Sequence, residues 1–279
     1  MTPPVFQGTF ESPDRLKLFC RIYSPARPAG TLVLLHGHGE HSGRYEKFAR
    51  VLEAENLRIA MFDFRGHGRS EGPEVYVEHF DDYGEDVSAF LKFLEREFQV
   101  RGKVILFGHS IGALVAVRWA LRFPEKIQAL VLSSPCLGLR LPSWLVAFNG
   151  FLNRIFPRFL YQNPVYPPHL THNPVEVENY RKDKLIKRKM SVRLLHEMLS
   201  SMDRLEAAVS FSFPFPVYVL MADELEKVVD SAKTRLFFQK VRAPVKELKT
   251  FPGFYHEIFN ELGQEKAFET LKDCIARSR

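Results

Sequence analysis

The chain has few cysteines and no long uncharged apolar run. Its 279 residues include three widely separated cysteines, Cys20, Cys136 and Cys274. An odd, scattered set argues against a disulfide framework or a cysteine-rich zinc site and suits a reducing compartment. No stretch approaches the roughly 20 consecutive apolar residues that cross a bilayer, and residues 1–15 lack the features of a signal peptide. These absences predict a cytoplasmic protein without a transmembrane helix.

The positive charge of the chain is concentrated in one segment. The formal net charge is +6, and residues 137–212 contain eleven lysines and arginines against six acidic residues. A solvated helix face is the simplest interpretation, and attraction to anionic lipid head groups is the functional one. Because no recognised nucleic-acid-binding motif accompanies this segment, we predict no nucleic-acid partner.

Short apolar runs alternate with amphipathic runs through most of the chain. Strands are predicted at residues 17–23, 31–36, 57–62, 103–107, 127–133, 216–221 and 245–250. Helices are predicted at residues 45–55 and 80–98, and further helices begin near residues 111, 231 and 264. This alternation predicts an α/β fold with a mostly parallel central sheet flanked by helices on both faces.

Residues 136–212 interrupt the alternation with several prolines, helical segments and no recognisable strand. We therefore predict a core formed by residues 1–135 and 213–279, with residues 136–212 inserted as a helical cap between two late strands. Open α/β sheets bind ligands at the carboxyl ends of their strands, so the cap is expected to cover a site there.

A Gly-His-Ser-Ile-Gly motif occupies residues 108–112, where a predicted strand ends and a predicted helix begins. A serine between two glycines at such a corner is the pattern of a nucleophile elbow. The turn is tight enough to need glycine at Gly108 and Gly112, and the helix N-terminus is directed at the Ser110 hydroxyl. The pattern predicts a serine hydrolase.

A serine nucleophile needs a base and an acid that orients the base, and in this fold the chain order is serine, acid, histidine. His256 follows a predicted strand and precedes the last predicted helix, and it is the only histidine after position 196. The acid is expected just past the strand at 216–221, where Asp223, Glu224 and Glu226 are all candidates. The spacing alone does not choose among them.

Two backbone N–H groups are expected to stabilise the developing oxyanion. One belongs to Ile111, the residue after the nucleophile. The other is expected from the glycine-rich loop that begins at His36, and we assign it to His38, whose imidazole is not required.

Several motifs together resemble the monoglyceride lipase and lysophospholipase family of α/β-hydrolases, and the resemblance covers most of the chain. The matching segments are HGHGEHSGRY at 36–45, FDFRGHGRSEG at 62–72, FGHSIGA at 107–113, LTHNP at 170–174, YRKDKLI at 180–186 and YHEIFNE at 255–261. The first and last motifs are much more specific than the elbow alone.

The resemblance implies Ser110 as nucleophile, His256 as base, and the N–H groups of His38 and Ile111 as the oxyanion hole. The family's acid lies in a segment like D-x-V-V-D, which residues 226–230 match with Glu226 in place of aspartate. Asp223 remains the alternative acid.

By the same matching, Glu40, Arg44 and Tyr180 are expected near the polar head of the substrate, although these residues equally suit a role in bracing loops. The segment 137–161 is dense in leucine, phenylalanine and tryptophan, which fits buried helices, an apolar acyl-chain tunnel, or both. We therefore predict a carboxylester hydrolase for single-acyl-chain lipids, either lysophospholipids or monoacylglycerols. It needs no cofactor and makes peripheral contact with an anionic membrane.

Three other functions compete with this one. The HGHGEH segment has the spacing of a zinc motif, which predicts a metallohydrolase with antiparallel sheets. A non-catalytic lipid-binding protein is the second alternative, and another carboxylesterase or thioesterase on the same scaffold is the third.

Overall fold

A computed structural model describes residues 5–163, 165–223 and 225–279. The strands in the described residues, β1 to β12 in chain order, are Phe6–Glu11, Lys17–Tyr23, Gly30–Leu35, Leu57–Phe62, Val104–His109, Ile127–Ser133, Leu160–Gln162, Lys189–Ser191, Phe211–Ser212, Val217–Ala222, Val241–Arg242 and Lys246–Phe251. The α-helices, α1 to α8, are Glu46–Val51, Asp81–Phe98, Ile111–Arg122, Ser143–Ile155, Pro174–Lys182, Val192–Ala207, Ser231–Lys240 and Glu265–Ala276.

Eight strands form one sheet in the order β1-β2-β4-β3-β5-β6-β10-β12. From β4 to β12 all neighbours are parallel, and β2 pairs antiparallel with both β1 and β4. The mostly parallel sheet predicted from the sequence is therefore present. The strand β1 was not predicted, because its six residues are short and interrupted by Gly8.

Alternate residues of the central strands enter two separate cores. In β3, Val33 and Leu35 pack into the core that includes α2 and α3, whereas Leu32 and Leu34 pack into the core that includes α1 and α8. Successive side chains of a strand point to opposite faces, so a strand covered on both sides must be apolar throughout. This accounts for the continuous apolar runs in the sequence.

The helix predicted at 45–55 was wrong in extent. The α-helical part is α1 alone, with 3₁₀ turns at Ser42–Tyr45 and Glu53–Glu55 on either side. Asn56 has a left-handed backbone conformation (φ 52°) and ends the segment just before β4.

The segment between β6 and β10 contains α4, α5 and α6, as predicted, but the expectation of no strand in it was wrong. Its strands β7 and β8 pair with each other antiparallel, and β9 pairs with β11. Each has two or three residues, too few for a period of two to be recognised. Among the described helices, none combines the length and apolar character needed to cross a membrane.

Candidate active site

Ser110 lies at the turn between β5 and α3, where the sequence places the elbow. Its backbone has φ 53° and ψ −119°, a conformation that residues with side chains rarely adopt. A β-carbon on Gly108 would lie 2.5 Å from the carbonyl oxygen of Gly112, and one on Gly112 would overlap the carbonyl oxygen of Leu35. The two glycines therefore let α3 begin directly against the sheet, with Ser110 at its N-terminus.

Ser110 and His256 line the same cavity, whose volume is about 270 Å³. His256 lies on the loop between β12 and α8, so the two side chains come from different ends of the chain. Within the described residues the Ser110 hydroxyl makes no hydrogen bond. Catalytic hydrogen bonds are often long before substrate is bound.

His256 forms a hydrogen bond with a buried carboxylate. Its Nδ1 lies 3.0 Å from Oε2 of Glu226, and the side chains of both residues are almost wholly buried. The other carboxylate oxygen, Oε1, accepts hydrogen bonds from the backbone N–H groups of Val228 (2.7 Å) and Val229 (3.2 Å). Both oxygens of Glu226 are therefore occupied, which fixes the orientation of the carboxylate and of the imidazole.

The charges of Glu226 and His256 stabilise each other. Burial by itself raises the pKa of Glu226, but the nearby His256 and the backbone hydrogen bonds bring this pKa below its usual value. Burial likewise lowers the pKa of His256, and the Glu226 charge and hydrogen bond raise it above its usual value. Glu226 is thus held as a carboxylate that favours the protonated form of His256.

The alternative acid has a different partner. Asp223 Oδ1 lies 2.6 Å from Nη2 of Arg235, on a partly exposed part of the surface. Glu224, the third candidate, lies outside the described residues. Of the two carboxylates described, the one in contact with His256 is Glu226.

The N–H groups of His38 and Ile111 are available as donors. Ile111 is the first residue of α3, so its N–H has no acceptor within the helix. Neither N–H makes a hydrogen bond to another described residue, and both residues line the cavity beside Ser110. Burial lowers the pKa of the His38 imidazole to about 4, so this ring is neutral at pH 7.

Glu40 and Tyr180 line the cavity, and Arg44 lies against both of them. The Arg44 guanidinium is centred 4.7 Å from the Tyr180 ring, and its Nη1 lies 3.3 Å from Oε1 of Glu40. Glu40 also accepts hydrogen bonds through Oε2 from the N–H of Gly37 (2.8 Å) and the hydroxyl of Tyr45 (2.7 Å). Glu40 therefore braces the loop while presenting a polar surface to the cavity.

Sequence reasoning did not single out Glu257, although it lies inside the histidine motif. Its Oε2 lies 2.6 Å from Nη2 of Arg44, and it lines the cavity beside His256. Arg44 is thus buried between two carboxylates, those of Glu40 and Glu257, and this arrangement keeps it charged.

The zinc alternative required the histidines of the HGHGEH segment to converge. Instead, His36 Nδ1 lies 2.7 Å from the carbonyl oxygen of Gly37, and its Nε2 accepts a hydrogen bond from the N–H of Phe64. His38 and His41 contact other parts of the chain. No three histidine, cysteine or acidic residues of the described chain are grouped to hold a metal ion, and the sheet is mostly parallel rather than antiparallel.

Many of the other side chains that line the cavity are apolar, and most of them come from the segment between β6 and β10. Its side chains include Leu139, Leu141, Leu145, Tyr161, Leu195 and Met198. Two cations, Arg140 and Lys227, also line the cavity. The cavity at Ser110 is thus lined by both apolar and charged side chains.

A family model described as serine aminopeptidase, S33, matches residues 26–263 of the chain. The chain belongs to this family. It is a serine hydrolase, as the elbow motif predicted, and the resemblance to lipid-ester hydrolases is confirmed by the relatives below.

Three curated relatives illustrate the similarity. The chain is 31% identical over 250 residues to phospholipase YtpA of Bacillus subtilis, covering 88% of this chain and 95% of that protein. It is 32% identical over 256 residues to human monoglyceride lipase, covering 89% and 82%. It is also 29% identical over 272 residues to the uncharacterized protein YnbC of Escherichia coli, covering 96% of this chain but only 46% of that longer protein.

The crystal structure of Paleococcus ferrophilus monoacylglycerol lipase superimposes with a TM-score of 0.84 at 29% identity, covering 94% of this chain and 99% of that one. This similarity confirms the predicted α/β-hydrolase fold.

Proposed function

We propose that this chain hydrolyses the ester bond of lipids that carry a single acyl chain. The observation that carries the proposal is the cavity, in which Ser110 and His256 are accompanied by many apolar side chains and by a polar cluster, Glu40, Tyr180 and Glu257. An apolar pocket accepts an acyl chain, while the polar cluster suits a glycerol-type alcohol. The similarity to phospholipase YtpA and human monoglyceride lipase supports the same substrate class.

In the proposed reaction the Ser110 hydroxyl attacks the ester carbonyl while His256 takes its proton. Glu226 orients the imidazole through Nδ1 and stabilises its charged form. His256 then gives the proton to the leaving alcohol, and an acyl-enzyme remains on Ser110. A water molecule, deprotonated by His256, releases the fatty acid and restores the serine.

We assign to the N–H groups of His38 and Ile111 the stabilisation of the negative charge that develops on the carbonyl oxygen. Donors that are already in place cost no reorganisation during the reaction. We assign the alcohol portion of the substrate to the side of the cavity with Glu40 and Tyr180, with Arg44 holding both residues in position. This combines the two roles considered for these residues, binding and bracing.

A comparison of two substrates tests the proposal. Because Arg140 and Lys227 line the cavity, we expect a lysophospholipid to be hydrolysed with a higher kcat/KM than a monoacylglycerol of equal acyl length. Rates on both series with the acyl length varied, and on a short-chain ester as control, measure this preference. Hydrolysis of the short ester alone would contradict the lipid assignment and favour a general esterase or thioesterase.

We further propose that residues 136–212 act as a cap on a core of residues 1–135 and 213–279, and that the cap rests on an anionic membrane. In α4, Trp144, Phe148, Phe151 and Ile155 recur at helical spacing and are exposed, with Trp144 68% exposed. Contiguous exposed apolar side chains mark interaction surfaces. Arg154 on the same helix and Arg158 just after it are exposed and complement anionic head groups. The three buried, unpaired cysteines are compatible with a cytoplasmic location.

The Phe151→Asp substitution tests the membrane proposal. It replaces an exposed aromatic side chain of α4 with a charge, and we expect binding to phosphatidylglycerol vesicles to fall about tenfold or more. Co-sedimentation with phosphatidylglycerol and phosphatidylcholine vesicles measures it. Leu236→Asp, at an exposed leucine of α7, is the matched control and should bind as the wild type does. Equal binding by both variants would refute the proposal.

A further inference from the structure

The segment that links α5 to β8 touches the loop that carries His38. We call residues 183–189 the strap and residues 36–41 the oxyanion loop. Three hydrogen bonds join them: His41 Nε2 to Asp183 Oδ2 at 2.8 Å, the N–H of Lys187 to the carbonyl oxygen of Gly39 at 2.8 Å, and His38 Nε2 to the carbonyl oxygen of Lys189 at 3.0 Å. Each of the three involves a residue within three positions of the His38 N–H.

The hydrogen bond to Lys189 determines which ring nitrogen of His38 carries the proton. The carbonyl oxygen of Lys189 only accepts hydrogen bonds, so the Nε2 of His38 must carry a proton and donate. The ring is neutral, and its Nδ1 is a lone-pair nitrogen that is buried without a partner in the described structure. The ring is therefore held to the strap through Nε2.

The tautomer of His41 is determined in the same way. The N–H of Gly43 donates to Nδ1 of His41 at 3.1 Å, so Nδ1 carries no proton and Nε2 carries one. That Nε2–H donates to Oδ2 of Asp183, while Oδ1 of the same carboxylate accepts from the N–H of Leu185 at 2.8 Å. Asp183 is thus an acceptor on both oxygens, one bonded to the strap itself and one to the oxyanion loop.

The oxyanion loop is also anchored at its first residue. His36 accepts a hydrogen bond from the N–H of Phe64, just after β4, whereas the bond from the N–H of Gly37 to Glu40 lies within the loop itself. Beyond His36, residues 38, 39 and 41 are hydrogen-bonded to the strap. The position of the His38 N–H therefore depends on a part of the chain more than 140 residues away.

We infer that the strap positions the oxyanion hole, and that Asp183 is a positioning residue for the His38 N–H donor. The inference rests on the proposed function, because it assigns to Asp183 an effect on that same reaction. Asp183 touches no reacting atom. It acts through His41 and the loop, and it favours the transition state, in which the carbonyl oxygen gains charge, more than the bound substrate.

Asp183→Asn is the sharpest test, since it keeps the size of the side chain and removes one acceptor. If the amide oxygen of the asparagine accepts the hydrogen bond from the N–H of Leu185, its NH₂ group faces the Nε2–H of His41. Two donors then face each other, and no hydrogen bond forms between them. In the reverse orientation the NH₂ group faces the N–H of Leu185, and that hydrogen bond is lost instead. We expect kcat to fall about ten- to a hundredfold with little change in KM, since complete loss of an oxyanion donor costs about 10² to 10³ in kcat. An alkyl boronic acid, which mimics the tetrahedral intermediate, should bind more weakly by a similar factor.

Lys184→Ala, at an exposed side chain of the same strap, is the control, and its kcat is expected to match that of the wild type. Asp183→Ala provides a second variant in case the asparagine variant does not fold, and it is expected to lower kcat and boronic acid affinity in the same direction. All rates are normalised to folded protein by circular dichroism. A lower melting temperature with unchanged kcat and boronic acid affinity would show a purely structural role and overturn the inference. If wild-type protein shows no ester hydrolysis that depends on Ser110, the proposed function fails instead.

Discussion

Ser110→Ala is expected to reduce ester hydrolysis by roughly 10⁶-fold in kcat, leaving the fold intact. Without the hydroxyl no acyl-enzyme forms, and only the oxyanion donors and the binding pocket remain to assist attack by water. Steady-state rates on a single-chain lipid ester measure the loss, and labelling by a fluorophosphonate probe should disappear with it.

A double variant tests whether Ser110 and His256 act together in one reaction. A Ser110→Ala, His256→Ala double variant should be no slower than either single variant, since the two groups act as one unit. Ser201→Ala is the control. That serine is buried in α6 and its hydroxyl has no partner in the described structure, so its removal should leave the rate unchanged. A Ser110→Ala protein with near wild-type activity would refute the proposed mechanism.

The second large effect concerns the acid. Glu226→Gln is expected to lower kcat about 10³- to 10⁴-fold, because the amide no longer fixes the tautomer of His256 or stabilises its charge. Asp223→Asn is the matched control: it neutralises a carboxylate paired with Arg235, away from His256, and the rate should stay within about threefold of the wild type. The opposite ranking of the two variants would assign the acid role to Asp223.

The residual activity of Glu226→Gln should also have a different pH dependence. Only neutral His256 accepts the serine proton, so kcat/KM is lost as the pH falls through the pKa of His256. The Glu226 charge raises this pKa above its usual value of 6.5. Removing the charge lets burial dominate, so the acid limb of the profile should move to lower pH. A limb that stays in place in Glu226→Gln would mean that Glu226 does not act on His256.

The sheet and the elbow were predictable because local pattern and burial agree there. The helix predicted at 80–98 has seven apolar residues at helical spacing. Five of them are buried and two are partly buried against the same core: Phe80, Tyr83, Val87, Phe90 and Leu94, and Leu91 and Phe98, respectively. The glycines at 108 and 112 predicted the backbone corner that is present between β5 and α3. Such features depend on residues within one turn or one strand of each other.

The remaining features depend on contacts between distant residues. The loop after β10 offered three carboxylates within four positions, and only its folded path brings Glu226 to His256. The pairing of Asp183 with His41 joins positions 142 residues apart. The strands β7 and β8 exist because each supplies the other's hydrogen bonds, which neither three-residue segment indicates alone. Sequence periodicity contains none of these pairings.

The proposed cap joins two strands that are neighbours in the sheet. Because β6 and β10 are parallel, the cap leaves at the carboxyl end of β6 and returns to the amino end of β10, and a change in its length leaves the strand order unaltered. Chimeras that exchange this segment between homologues should therefore fold readily. The hydrogen bonds from residues 183–189 to residues 36–41 set one condition. A chimera whose exchanged segment does not form these bonds with residues 36–41 is expected to turn over substrate more slowly.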